Sequence, residues 1–340
     1  MRAQLERLWY GDSAAAALLE PLARLYAAVT AVRRGLYGRG WLRARPLGQP
    51  VVVVGNLTVG GTGKTPLAVW VAQQLTAERL KVGIVSRGYG RRSRGARTVH
   101  VDSDWRDVGD EATLLARRTG CPSIVAADRV AAARTLIARG AEVILADDGL
   151  QHLRLARDCA IVVIDGARGF GNGRLLPAGP LREPLTALSR ADVVVINGEP
   201  AHHSIAAPVR AEALRMSLVA ESAVRLDGHH GAPVALDAFR GRRVHAVAGI
   251  GNPQRFFDEL AARGIELIKH PFPDHHPFTA RELEFTDQLP VLMTEKDAVK
   301  CTPFANPRLW YVPVSAHFSE RDAHELRARL LGKLRTRAGG

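Results

Sequence analysis

Four valines, Val51–Val54, lead through Gly55-Asn-Leu57 into the turn Thr58-Val-Gly-Gly-Thr-Gly-Lys-Thr65, and Pro66 opens the apolar stretch behind it. A short apolar run ended by turn residues predicts a buried strand, and Lys-Thr-Pro after glycine predicts a helix start. A strand, a glycine-rich turn and a helix N-terminus in that order bring backbone N–H groups and the positive end of the helix dipole onto phosphate oxygens. In such a loop Gly60, Gly61 and Gly63 let the backbone approach the phosphates, with Thr58, Val59 and Thr62 completing the turn. Lys64 then reaches the β- and γ-phosphates and Thr65 holds Mg²⁺. Thr58 stands where the strict pattern G-x-x-x-x-G-K-[ST] has glycine, so the loop is a variant. The plainer alternative is a strand-to-helix turn that binds no nucleotide.

The texture around this turn is that of a parallel sheet. Further apolar runs at Val82–Val85, Val143–Ala146, Ile161–Ile164 and Val193–Ile196 alternate with helical segments, as in strands covered by helices on both faces. The fold class expected is therefore α/β, a P-loop parallel-sheet sandwich. A length of 340 residues exceeds what one core usually supports, so a second domain is also expected. Val244–Ala248, a helix near Pro253–Arg263 and Val291–Met293 supply that smaller α/β unit. The boundaries read as an N-terminal segment 1–40, a P-loop domain 41–206, a smaller domain 218–308 and a C-terminal helical segment 317–340. Segments 207–217 and 309–316 read as extended, and are predicted to pair as a two-stranded linker.

Composition excludes some classes. The three cysteines, Cys121, Cys159 and Cys301, are scattered without ligand spacing, which argues against a disulfide framework and a zinc site. The net charge of +13 suits nucleic acid, an anionic membrane face or an acidic substrate, and equally follows from an arginine-biased genome. Before residue 40, Glu20 and Arg24 interrupt the only apolar stretch, so no bilayer-spanning helix is expected. Leu18, Leu22, Leu25, Val29 and Val32 nevertheless recur at helical spacing, with Tyr26 beside them and Arg33-Arg34 following. Such a stripe faces either a protein core, the commoner case, or an anionic lipid surface.

Several further clusters carry chemistry. Asp147-Asp148 ends a predicted strand, where a carboxylate that fixes Mg²⁺ would sit, although acidic strand ends also cap turns. Gln151-His152 follows beside the same strand end. Ser86-Arg-Gly-Tyr-Gly90 with Arg91-Arg92 combines cations and an aromatic face suited to an anionic, sugar-bearing ligand. Asp110, in Gly109-Asp-Glu111, opens a helix and could be a simple first-turn carboxylate. Phe272-Pro-Asp-His-His-Pro-Phe278 holds its histidines between prolines; adjacent histidines rarely share one ion, so a catalytic histidine is the better reading. Thr294-Glu-Lys-Asp297 reads as a solvated or structural salt-bridge corner.

Taken in order, Asn56–Pro66, Ser86–Gly90, Gly109–Glu111, Asp147–His152, Leu176-Pro-Ala-Gly-Pro-Leu-Arg-Glu183, Asp274-His275 and Thr294–Asp297 closely resemble the tetraacyldisaccharide 4′-kinase family of lipid A synthesis, over nearly the whole chain. The resemblance implies transfer of the ATP γ-phosphoryl group to the 4′-hydroxyl of a tetraacylated disaccharide 1-phosphate, with ATP and Mg²⁺ as cofactors. It implies a peripheral, monotopic protein at the cytoplasmic face of a bacterial inner membrane, with residues 1–40 as a membrane-surface helix. It implies neither nucleic acid nor an obligate protein partner. Carried over, the catalytic dyad falls on Asp110 and His275, expected from different domains whose closure would assemble the site. Lys64, Thr65 and Asp147 take the phosphate and Mg²⁺ roles, with Asp148 and Glu111 as further metal candidates and Gln151 and His152 at the nucleotide. Arg87, Tyr89, Arg129, Arg168 and Arg182 are implied to line the lipid or nucleotide pocket. Two alternatives weigh against this. A P-loop ligase or GTPase-like metallochaperone would need a guanine motif such as Asn-Lys-x-Asp, which the sequence lacks, and a nucleic-acid binder would show steep salt dependence.

Overall fold

The computed structural model describes residues 8–11, 15–227 and 232–338, the last two without their side chains. Of the expected terminal segments, 1–7, 12–14 and 339–340 lie outside the described residues. The chain divides into two compact units, one of Met1–Arg87, Cys121–Ser217 and Ala316–Gly340, the other of Gly88–Gly120 and Leu218–Ser315.

The first unit is built on a large parallel sheet of β1 (Val51–Gly55), β2 (Val82–Ser86), β3 (Ser123–Val125), β4 (Val143–Asp147), β5 (Cys159–Asp165), β6 (Val193–Asn197) and β7 (Leu214–Val219). From the edge strand Ser315–Phe318, the order runs β7, β6, β5, β1, β4, β2, β3. Strands β1, β4 and β5 are buried along their whole length, which is why they read as unbroken apolar runs rather than alternating ones. Helix Arg129–Ala138 adds Val130, Ala133 and Leu136 to the core that holds Val53, Ile144 and Val162. Strand β1 lies between β4 and β5, neither of them its sequence neighbour. The strand order reverses there, so the crevice beyond the carboxyl ends of β1 and β4 is the natural ligand position of such a sheet.

Helix α1 (Glu20–Gly38) is fixed to this unit by one face. The Tyr26 hydroxyl donates to the Arg182 carbonyl at 2.9 Å, Arg34 pairs with Glu183 at 2.7 Å, and Glu20 pairs with Arg174 at 2.8 Å. The apolar stripe lies on the other side. Leu22, Leu25, Val29 and Val32 are each at least 55% exposed, and Leu18 and Trp41 more so. The core-facing alternative for this stripe is thereby overturned.

The linker expectation needs correction. Residues Ala207–Glu212 are helical, because alanine, glutamate and arginine favour a helix and Pro208 suits its first turn. Leu309–Val312 is a strand of the second unit's sheet, and the extended pieces Leu214–Val219 and Ser315–Phe318 lie side by side at the edge of the large sheet.

The second unit carries β8 (Ser222–Arg225), β9 (Val234–Ala235), β10 (Arg243–Ala248), β11 (Glu266–Pro271), β12 (Val291–Thr294) and β13 (Leu309–Val312), in the order β9, β8, β13, β12, β10, β11. Helices α3 (Asp110–Thr119), α4 (Pro253–Ala262) and α5 (Glu295–Cys301) accompany them, as α2 (Lys64–Ala77) accompanies the large sheet of the first unit. Residues 88–120, expected within the P-loop domain, group here because α3 packs on α5. Arg118 reaches Glu295 at 3.1 Å and Glu111 meets Lys296 at 2.9 Å. Asp110 and His275, expected from different domains, therefore belong to one unit.

Candidate active site

In the first unit the loop follows β1 and ends on α2, whose N-cap Gly63 has φ +95°. A side chain there would be strained, and its Cβ would come within 2.8 Å of the Asn197 amide nitrogen, which donates to the Thr62 carbonyl. The register pairing Val54 with Asp147 sets the buried Asp147 carboxylate beside the strand that enters the loop.

Asn56, wholly buried between strand and loop, joins the predicted residues together. Its side-chain oxygen accepts from Lys64 Nζ at 3.2 Å and from Arg182, and its carbonyl accepts from Gln151 Nε2 at 3.3 Å. The sequence expectations give Asn56 no part, although its place between the apolar run and the glycines marks it.

Asp148 adopts φ +50°, and its two oxygens accept from Arg182 at 2.9 and 2.8 Å. Burial would raise its pKa, yet the Arg182 hydrogen bond and the charges of Lys64, Arg182 and Arg129 hold it well below the ordinary carboxylate value. In this conformation Asp148 is the ion-pair partner of Arg182. Replacing Arg182 with lysine removes the two-pronged contact to Asp148 while keeping the charge, because a lysine ammonium cannot span two carboxylate oxygens and Asn56 at once. Arg182→Lys should therefore weaken ATP binding nearly as much as Arg182→Met, about 10-fold by calorimetry, the loss expected for one charged hydrogen bond of ~1.5 kcal/mol. Wild-type affinity in Arg182→Lys would show that charge alone suffices.

The other predicted residues of this unit gather on the same strand ends. Arg129, at the start of its helix, is buried; desolvation lowers its pKa while the Asp148 and Asp147 carboxylates oppose that shift. Desolvation, reinforced by Arg129, pushes His152 down to about 4, so its imidazole is neutral at neutral pH. Arg168 follows β5, where Asp165 Oδ1 accepts from the Ala167 and Arg168 amides at 3.0 Å. Its guanidinium lies over the Tyr10 ring at 5.2 Å and faces Gly60. Asp165, which shapes this turn, was not anticipated. Arg87 closes the strand end of β2 near enough to Arg129 to oppose its charge.

In the second unit His275 Nδ1 lies 2.9 Å from Asp110 Oδ2, and Asp110 Oδ1 accepts the Glu111 amide at 2.8 Å. Asp110 is 3% exposed. Burial alone would raise its pKa, but the His275 hydrogen bond and the Lys296 and Lys300 ammoniums outweigh it and hold the carboxyl below its ordinary value. Asp110 is thus ionised throughout the neutral range. Gly109, at φ +95° and with the Tyr89 carbonyl 3.0 Å from where a Cβ would stand, lets the chain turn into α3. The exposed Tyr89 ring lies 5.0 Å from the His275 ring.

Glu111, a predicted metal candidate, pairs with Lys296, which also meets Asp274 at 3.4 Å. Among the described residues no group of three or more histidines, cysteines, aspartates or glutamates forms a ready-made metal cage. Magnesium fits nonetheless, because it retains waters and takes one or two protein oxygens beside substrate phosphates. Thr65 and the buried Asp147 are hard oxygen donors of that kind.

A buried parallel strand, a glycine loop capping a helix and an acidic strand end in register with it define an α/β P-loop nucleotide-binding protein. The family model for tetraacyldisaccharide-1-P 4′-kinase matches residues 15–335. A tetraacyldisaccharide 4′-kinase of Alkalilimnicola ehrlichii is 51% identical over 319 residues, covering 92% of each chain. That of Nitrosococcus oceani is 47% identical, covering 91% of this chain and 88% of the relative. The crystal structure of LpxK from Aquifex aeolicus in complex with ATP superposes with a TM-score of 0.76 at 29% identity, covering 94% of this chain and 99% of that one. The chain belongs to the tetraacyldisaccharide 4′-kinase family.

Proposed function

We propose that this ATP-dependent kinase transfers the γ-phosphoryl group of ATP to the 4′-hydroxyl of a tetraacyldisaccharide 1-phosphate in lipid A synthesis. The observation that carries this reading is the family match across residues 15–335 on a chain that keeps the phosphate loop and an Asp110–His275 contact of 2.9 Å. In the reaction the 4′-oxygen bonds to the γ-phosphorus, the bond from that phosphorus to the β,γ-bridging oxygen breaks, and ADP departs. The hydroxyl proton goes to His275 Nε2, since Nδ1–H donates to Asp110, which fixes the tautomer and stabilises the imidazolium formed. Backbone amides of Gly60–Gly63 and the start of α2 cradle the phosphates, and Lys64 meets the charge that develops as the bond breaks.

Thr65 and Asp147 would hold Mg²⁺, which supplies charge neutralisation on the phosphate oxygens when it accompanies ATP. Gln151 and His152 serve the nucleotide side. Arg129 and Arg182 maintain the carboxylate pair, while Arg87, Arg168 and Tyr89 are assigned to the anionic sugar and phosphate groups of the substrates. The test is incubation with γ-³²P-labelled ATP and a detergent-dispersed tetraacyldisaccharide 1-phosphate. Label is expected in the lipid fraction; label released only as inorganic phosphate would contradict the assignment.

No described helix is long and apolar enough to cross a membrane. We assign the exposed α1 stripe, with Arg33 behind it, to the anionic cytoplasmic face of the inner membrane, where a lipid substrate would be met. The triple variant Leu22→Gln/Leu25→Gln/Val29→Gln alters only exposed side chains. It should keep the wild-type melting temperature but remain unbound in flotation with anionic vesicles, whereas equal flotation would remove the stripe from membrane binding.

A further inference from the structure

The corner Thr294-Glu-Lys-Asp297, predicted to be solvated or a plain salt bridge, is buried at both of its ends. Asp297 and Lys300 are each fully buried on α5, with Nζ 2.6 Å from Oδ1 and the Phe278 ring 5.1 Å from the ammonium. Replacing a buried ion pair by apolar residues is often neutral or stabilising, so core stability is a poor account of it. Its contacts suggest another role. The second oxygen, Oδ2, accepts from Thr294 Oγ1 at 2.6 Å and from the Gly249 amide at 2.7 Å. The Gly249 carbonyl in turn accepts from the His275 amide at 3.2 Å.

His275 needs such a hold. It sits at φ +61°, a left-handed conformation that a residue with a side chain keeps only where its surroundings impose it. Gly249 is itself closely held: a Cβ there would stand 3.0 Å from Asp297 Oδ1 and 3.2 Å from the Phe278 ring edge. One carboxylate oxygen, shared with a threonine hydroxyl, thus fixes the glycine that fixes the backbone of the histidine. We propose that Asp297 is a positioning residue for His275: through the Gly249 amide that its Oδ2 accepts, it sets the left-handed turn that aims the imidazole at Asp110. This rests on His275 being the base of the proposed reaction.

Two double variants in the full chain separate positioning from packing. Asp297→Asn/Lys300→Met removes both charges but keeps an oxygen to accept from Gly249, whereas Asp297→Leu/Lys300→Met removes the acceptor as well. The first should retain kcat within about 3-fold, and the second should lose about 10- to 100-fold in kcat, as expected of a misaimed group, with KM for ATP and lipid unchanged. The imidazole signals of His275 in ¹⁵N-histidine-labelled protein, assigned with His275→Gln, should move in the second variant only. Equal loss in both variants together with raised KM would overturn the proposal, as would wild-type kcat and unmoved signals in the leucine variant. If His275→Ala kept full turnover, the base assignment would fall. The spectrum alone would then decide, a shift confined to the leucine variant sustaining the clamp and none overturning it.

Discussion

His275→Ala and Asp110→Ala should each lower kcat by about 10²–10⁴-fold, the range for losing a general base, while leaving ATP affinity within a small factor of wild type. The split follows from where the groups sit. His275 and Asp110 contact each other at 2.9 Å in the second unit, whereas the phosphate loop and its carboxylates belong to the first. In the proposed reaction the pair acts as one device, so the double variant should be scarcely worse than either single one. Asp110→Asn should resemble Asp110→Ala, because an amide can neither stabilise the imidazolium nor hold the same tautomer. The Asp110 carboxyl is held below its ordinary value, so it remains charged at any pH suited to assay, and a fall of kcat on mild acidification does not report its protonation. Steady-state kinetics with calorimetric ATP titration checks all of this; a single variant with undiminished kcat would take that residue out of the mechanism.

Lys64→Met should lower kcat/KM by at least about 10²–10³-fold, the loss typical of removing one preorganised group that meets charge developing in the transition state. ATP binding should weaken as well, since the proposed role sets the same ammonium against the phosphates in the ground state. The effect extends to the resting protein. Lys64 donates to Asn56 and helps hold Asp148 ionised, so its removal leaves that cluster with Arg182 and Arg129 as the nearby cations named by the structure. The fold should survive, because α2 is held by the buried Leu67, Val71 and Leu75 rather than by its first residue. Unaltered ATP affinity together with unaltered turnover would mean that the loop does not carry the nucleotide.

Much of this was legible in the sequence, for reasons that differ by element. Strands buried on both faces announce themselves as apolar runs, and a strand, glycine turn and Lys-Thr admit few other uses, so the large sheet and the loop followed from local pattern. The acidic strand end was also local, and the register of Val54 with Asp147 gave it its place. What escaped depends on contacts distant in sequence. That residues 88–120 belong with the second unit is decided by α3 lying on α5, which no local pattern encodes. The burial of Asp297 and Lys300 is equally nonlocal, since a charged corner looks solvated until Gly249 and Phe278 are known to cover it. Residues 207–212, expected to be extended, are helical because alanine, arginine and glutamate favour a helix, a signal already present in their composition. Periodicity found the α1 stripe but could not say what it faced, because a core and a lipid surface call for the same spacing; exposure decided against the core.

The central claim, that the Asp110–His275 pair and the phosphate loop serve phosphorylation of a sugar hydroxyl at the 4′ position, is tested most directly by locating the transferred phosphate. Product from wild-type protein, ATP and tetraacyldisaccharide 1-phosphate, examined by ³¹P NMR and tandem mass spectrometry, should carry one new monoester on the 4′-oxygen, with none formed by His275→Ala in the same time. A phosphate on another hydroxyl, or ATP consumed with the disaccharide unchanged, would contradict the account.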